Sequence, residues 1–295
     1  MKKIVVIGGM NVDILASANP LHHKDSSIGS VQTAFGGVGR NIAENVARLG
    51  QPVSLCSVVG DDAFGTMLIE HANQMGINTT LVQVVKTKRT GSYLAVSDQQ
   101  DMVFGINDMD ITSTMDVAWA KNQLPQLHQF DIIVLEANLP KTTIQFLTQS
   151  LQEKPIIIDP VSAVKAPRLI DSLAMIDTLK CNNLELLALS NESTTQQGID
   201  SLAKQGVKRI IVTQGPDQLI EYAFGKTTYY TPNAASIVNV TGAGDALTAG
   251  IVAGMALNYS HDKQIKLALR MSELTIQSAT TVSPQITPQL LKEIV

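Results

Sequence analysis

Short β-branched runs recur along this chain, separated by amphipathic stretches, and that alternation narrows the available folds more than any other feature. Residues 3–7, 54–59, 131–135, 156–158 and 209–213 read as buried strands, and residues 63–75, 141–152 and 197–205 as helices. Strands alternating with helices predict a doubly wound α/β fold, with a mostly parallel sheet covered on both faces. The chain has 295 residues, 44% of them hydrophobic, enough for a substantial core. No repeat, low-complexity tract or long linker marks a boundary, so a single domain over residues 1–295 is expected.

Residues 14–35 and 89–106 break the alternation. They carry strand-like segments with no helix between them, including 90–96 and 102–106 joined across Ser97-Asp98-Gln99-Gln100. A small antiparallel sheet projecting from the main domain is expected there. A lid over a cleft is one use for it, and a dimer contact is another.

Net charge is -4 with no cluster of Lys or Arg, which argues against nucleic acid or an anionic membrane as partner. The apolar run Ile4 to Ile7 is too short for a signal-peptide core, and no stretch approaches the roughly 20 residues that span a bilayer. Cys56 and Cys181 are far apart and form no C-x-x-C pair. A reduced, cytoplasmic setting is the expectation.

Chemistry concentrates in Asn239-Val240-Thr241-Gly242-Ala243-Gly244-Asp245, which leads into an apolar, Ala/Gly-rich run. Small residues allow a tight turn with outward N–H groups, and the dipole of the following helix favours anions. A phosphoryl group there would meet fixed donors, and Asp245 could take a proton from an attacking hydroxyl. The plainer alternative is a helix start with Thr241 or Asp245 as N-cap.

A second glycine-rich segment, Gly36-Gly37-Val38-Gly39-Arg40-Asn41, opens a helix that Gly50 would stop. Its glycines permit close approach to a ligand, and Asn41 could bond a polyol. It is not a dinucleotide fingerprint, because Ile42 occupies the third glycine position, and this disfavours a dehydrogenase. Asn11 and Asp13 follow the first strand, where open α/β sheets bind ligands. Gly225-Lys226-Thr227 mimics the end of a Walker A loop but lacks the earlier glycine, and Gly225-Lys226 reads as a hairpin turn. The five histidines, including His22-His23, lack metal-ligand spacing and read as solvated.

The two glycine segments, in this order and this far apart, resemble the two signatures of the ribokinase-like (PfkB) carbohydrate kinases. The resemblance covers essentially the whole chain and implies ATP-dependent phosphorylation of a sugar hydroxyl beneath a β-sheet lid. It makes Asp245 the base and Gly242, Ala243 and Gly244 the anion hole. Asn11, Asp13, Gly36, Gly37 and Asn41 would hold the acceptor's ribose. Asn182, Thr213, Gly215 and Thr241, with Gly242 and Gly244, would bind ATP. Glu185, in Asn182-Asn183-Leu184-Glu185, would help hold Mg2+ through water, and a monovalent cation is a further candidate cofactor. A homodimer formed through the lid also follows from the resemblance.

Further strings narrow the resemblance. Asp25-Ser26, Gly29, the run from Gly36 to Asn45, Asn107-Asp108-Met109, and Asp159-Pro160-Val161-Ser162-Ala163 with Lys165 are similar to the pseudouridine kinases of that family. That similarity implies transfer to a nucleoside 5′-hydroxyl, with Asn107 and Asp108 placed to face the base. Departures are Gln218, where many relatives have glycine, and Cys181, where proline is usual. Ribokinase and other nucleoside kinases are the sibling readings. A non-catalytic sugar- or nucleotide-binding regulator is the alternative of another class.

Overall fold

The computed structural model describes residues 1–22, 25–98 and 101–294. The turn residues Gln99-Gln100 and His23 of the histidine pair lie outside them. The chain opens with β1 (Ile4–Ile7), β2 (Asn11–Ala18), β3 (Gly29–Gly36) and α1 (Val38–Arg48). Next come β4 (Val53–Gly60), α2 (Ala63–Gln74), β5 (Asn78–Val85), β6 (Ser92–Asp98) and β7 (Asp101–Asp108). Alternation resumes with α3 (Val117–Leu127), β8 (Ile132–Glu136), α4 (Lys141–Ser150), β9 (Ile156–Asp159) and β10 (Thr178–Asn182). Then follow α5 (Asn183–Ser190), α6 (Thr195–Lys204), β11 (Arg209–Thr213), β12 (Leu219–Ala223) and β13 (Lys226–Tyr230). The last helices are α7 (Ala243–Ala256), α8 (His261–Ile276) and α9 (Leu290–Glu293).

The main sheet runs β13-β12-β11-β10-β9-β8-β1-β4-β5. Its pairings are parallel except those of β12 with β11 and with β13. β1 shows why both faces must be covered. Val5 and Ile7 enter the core beneath α3 to α6, while Ile4 and Val6 enter the core beneath α1, α7 and α8. Period-two side chains that are apolar at every position leave no face for water. The β12–β13 hairpin turns at Phe224-Gly225, with φ 53° and 75°. Lys226 already pairs with Ala223, so the turn sits one residue earlier than the sequence implies.

The four-stranded sheet, ordered β3-β2-β6-β7, stands apart from the main one. Its outer pairs are antiparallel, but its central pair, β2 with β6, is parallel. Two hairpins leave the main sheet separately, after β1 and after β5, and lie side by side, so their first strands run the same way. The first hairpin begins earlier and ends later than residues 14–35, and the second runs from Ser92 to Asp108 and so ends later than residue 106, which places Asn11, Asp13 and Asp108 within these strands.

Candidate active site

Gly242 caps α7 with a left-handed φ of 85°. A Cβ there would stand 2.0 Å from the Thr281 carbonyl oxygen, so only glycine fits this turn. Behind it, residues 246–254 of α7 are buried, which fixes the helix axis. The first-turn amides of Gly244 and Asp245 have no intrahelical acceptor and present partial positive charge to the cleft.

Asp245 is half-buried in that first turn and accepts a 2.8 Å hydrogen bond from Asn41 Nδ2 on α1. Burial, then the nearby charge of Asp159, pushes its pKa up to about 7, against the opposing pull of the Asn41 bond and Lys180. That value suits a group that must accept a proton near neutral pH. Lys180 stands on β10 beneath the turn, its Nζ 2.8 Å from where a Gly244 Cβ would lie. It is 3.1 Å from Asp159 Oδ2, which also accepts from Thr248 Oγ1 at 2.9 Å. Burial works against the ammonium, but Asp159, Glu185 and Asp245 outweigh it and hold its pKa above the usual range. A fixed cation therefore backs the amides at the α7 N-terminus.

Beside α1, Asn11 Nδ2 donates to Asp13 Oδ1 at 2.6 Å, and Asn11 pairs with Gly36 across the small sheet. A Cβ on Gly36 would strike the Asp13 carboxylate at 2.4 Å. Gly37 has φ 99°, and a Cβ would meet Met10 Cα at 2.5 Å. The chain can therefore bend directly into α1 and bring Asn41 round to Asp245. Burial raises the pKa of Asp13, against the hydrogen bond from Asn11 and the charge of Arg40.

On the other side of Gly244 lies a cavity of about 470 Å³, lined by Thr213, Gly215, Pro216, Gln218, Val240 and Ile276 among others. Gly215 has φ 61°, and the loop closes through Gln214 N donating to Gln218 O at 3.0 Å. The Gln218 side chain bonds Gln214 at 2.7 Å, so glutamine replaces glycine without opening the loop. Asn182 sits beside Thr213 in register and N-caps α5. It forms a capping box with Glu185: Oδ1 accepts from Glu185 N at 2.9 Å, and Glu185 Oε2 accepts from Asn182 N at 2.8 Å. Burial, then the charge of Asp159, raises the pKa of Glu185. Thr241 is exposed, its N–H held by Asn239 Oδ1 at 2.9 Å.

The structure thus joins Asn41 to Asp245, Asn11 to Asp13, and Thr213 and Gly215 to Gly244. Asn107 and Asp108 are exposed at the end of β7, where Asp108 Oδ1 accepts from Asp110 N at 3.4 Å. The adjacent Met109 is what reaches the cleft floor, with its thioether against Gly9 and Gly91. Asn138 is also beside Gly9, and its Oδ1 accepts from Lys165 Nζ. Sequence reasoning missed Lys180 and Asn138. A lysine flanked by Leu179 and Cys181 in a short strand was the only signal for the first.

The pfkB family carbohydrate kinase profile matches residues 1–288. Pseudouridine kinase of Escherichia coli (strain K12) is 30% identical over 293 residues, spanning 96% of this chain and 93% of that one. Ribokinase of Bacillus subtilis (strain 168) is 28% identical over 287 residues, 94% of each. An Arabidopsis thaliana ribokinase structure complexed with ribose and ATP superposes with TM-score 0.85 at 22% identity, covering 99% of this chain and 98% of that one. On the match over nearly its whole length, this chain belongs to the pfkB family of carbohydrate kinases, ATP-binding phosphotransferases that act on a hydroxyl acceptor.

Proposed function

We propose that the chain transfers the γ-phosphoryl group of ATP to the 5′-hydroxyl of pseudouridine. The observation that carries this reading is the placement of Asp245 at the α7 N-terminus, between the cavity edged by Gly244 and the polar Asn11–Asp13 pair. The nucleotide would lie in the cavity along Thr213 and Gly215, with its terminal phosphate against the amides of residues 242–244 and near Lys180. The ribose would be held by Asp13, Gly37 and Asn41, its 5′-oxygen facing Asp245. Asp245 takes the proton as that oxygen attacks, the γ-phosphorus bond to the leaving oxygen breaks, and ADP departs.

Among the described residues no group of three or more His, Cys, Asp or Glu could hold a metal by itself. Single carboxylates beside a phosphate site do fit Mg2+, which keeps its waters and rides on nucleotide phosphates. Glu185 would hold such a water, and the ion would offset phosphate charge. The nucleoside choice is supported by the pseudouridine kinase relative and by the polar Asn138–Lys165 pair beside Met109. Asn107 and Asp108 would border the same space.

The small sheet would serve as a lid. Its exposed Val31, Met102, Phe104 and Ile106 support a second copy docking there to form a homodimer. Two free, buried cysteines support a reducing, cytoplasmic setting.

Incubation with ATP and Mg2+ against pseudouridine, uridine, cytidine, adenosine, inosine and ribose tests the substrate. Preference for pseudouridine supports the reading. Turnover of ribose or another nucleoside instead retires pseudouridine and keeps the kinase, while silence across the panel favours a binding protein.

A further inference from the structure

Arg40 sits in the first turn of α1 and is only 3% exposed. Its Nη1 donates to the Phe35 carbonyl and, at 2.8 Å, to Asn41 Oδ1. Its Nη2 donates to Glu44, whose other oxygen accepts from Arg48 Nε at 2.8 Å. A guanidinium donates and never accepts. The carboxamide atom facing Arg40 must therefore be the oxygen, which leaves the NH2 group to face Asp245 Oδ2, 2.8 Å away.

We propose that Arg40 is a positioning residue, which locks the Asn41 carboxamide so that it can only donate to Asp245. The proposal deepens the kinase reading and rests on Asp245 as its base, but adds a residue that touches neither substrate. Without Arg40 the carboxamide is free to turn over. Its oxygen would then face Asp245 and select the protonated acid, which is useless as a base. With Arg40 in place, the NH2 group favours the carboxylate. The other charges facing Asp245 are Asp159 on β9, Lys180 on β10 and Glu136 on β8. Those around Arg40 are Glu44, Asp13 and Arg48, with His71 on α2 also within its field.

The test is a 13C-carboxyl NMR titration of Asp245 in the full chain, with the signal assigned by its loss in Asp245→Asn. In Arg40→Met the midpoint should rise by about one pH unit, the scale of one hydrogen bond to a charged group. Arg40→Lys, which keeps a donor, should stay within about a third of that rise. In an Asn41→Ala background, Arg40→Met should add nothing. An unmoved midpoint in Arg40→Met overturns the proposal, as does a rise that persists without Asn41. In the unaltered chain the Asn41 side-chain 15NH2 signal should move with the Asp245 midpoint. A flat signal there overturns the proposal with no variant required to fold. The titration needs no turnover, so it stands apart from failure of the kinase reading, which the acceptor panel reports.

Discussion

At the α7 end of the cleft, Gly242, Lys180, Asp159 and Asp245 stand on elements of the nine-stranded sheet and its packed helices. Asn107 and Asp108, by contrast, stand exposed at the end of β7, in a four-stranded sheet whose Val31, Met102 and Phe104 side chains face solvent. The first region admits little change: a Cβ on Gly242 collides with Thr281, and removing Lys180 leaves Asp159 buried without its cation. The second region can vary without disturbing the core. Under the proposed function, phosphoryl transfer falls to the rigid side and acceptor choice to the side that can be rewritten.

Substitutions should therefore act differently on the two sides. Asp245→Asn should lower kcat by about 10²–10⁴-fold, the range for a lost general base, with substrate binding retained. A fall under about threefold would remove Asp245 from the role. The same variant should melt higher at pH 8. A carboxyl whose pKa is raised to about 7 stabilises the fold below its unfolded value and loses that contribution as pH rises through 7. Lys180→Met should lower kcat by about 10²-fold, as for one lost electrostatic donor, and destabilise the fold by about 3–5 kcal/mol. A variant with unchanged kcat and lowered Tm would make Lys180 structural only.

The effects should shrink across the cleft. Asp108→Ala should raise the KM for the nucleoside about fivefold, the worth of one hydrogen bond, with the KM for ATP unmoved. An unchanged nucleoside KM would take Asp108 out of base recognition. Smallest for activity, Phe104→Glu should split a dimer in sedimentation while changing kcat by less than about twofold. A sedimentation profile identical to that of the unaltered chain would place any dimer contact elsewhere.

The same division decides what was legible in the sequence. Residues 3–7 and 209–213 announce themselves through their unbroken apolar cores, 4–7 and 210–212, because a strand buried on both faces has to be apolar there. Gly242 and Gly37 announce their turns because few other residues take a φ of 85° or 99°. The parallel pairing of β2 with β6 was hidden, because it joins two hairpins distant in sequence and no local pattern records their direction. Lys180 was hidden for a related reason. Its partner Asp159 lies on β9 and is itself held by Thr248 on α7, and only the fold brings the three together. Arg40 could be seen within a glycine-rich string, but its grip on the Asn41 carboxamide depends on an atom-level orientation that no spacing encodes.

The central claim is that Asp245 must be deprotonated to accept the acceptor's proton. The most direct test is the pH dependence of kcat from pH 5 to 9, measured on the preferred acceptor with saturating ATP and Mg2+. The rate should rise with pH through a midpoint near the Asp245 pKa of about 7, and the residual rate in Asp245→Asn should lack this limb. A flat profile across that range, or the same limb surviving in Asp245→Asn, would contradict it.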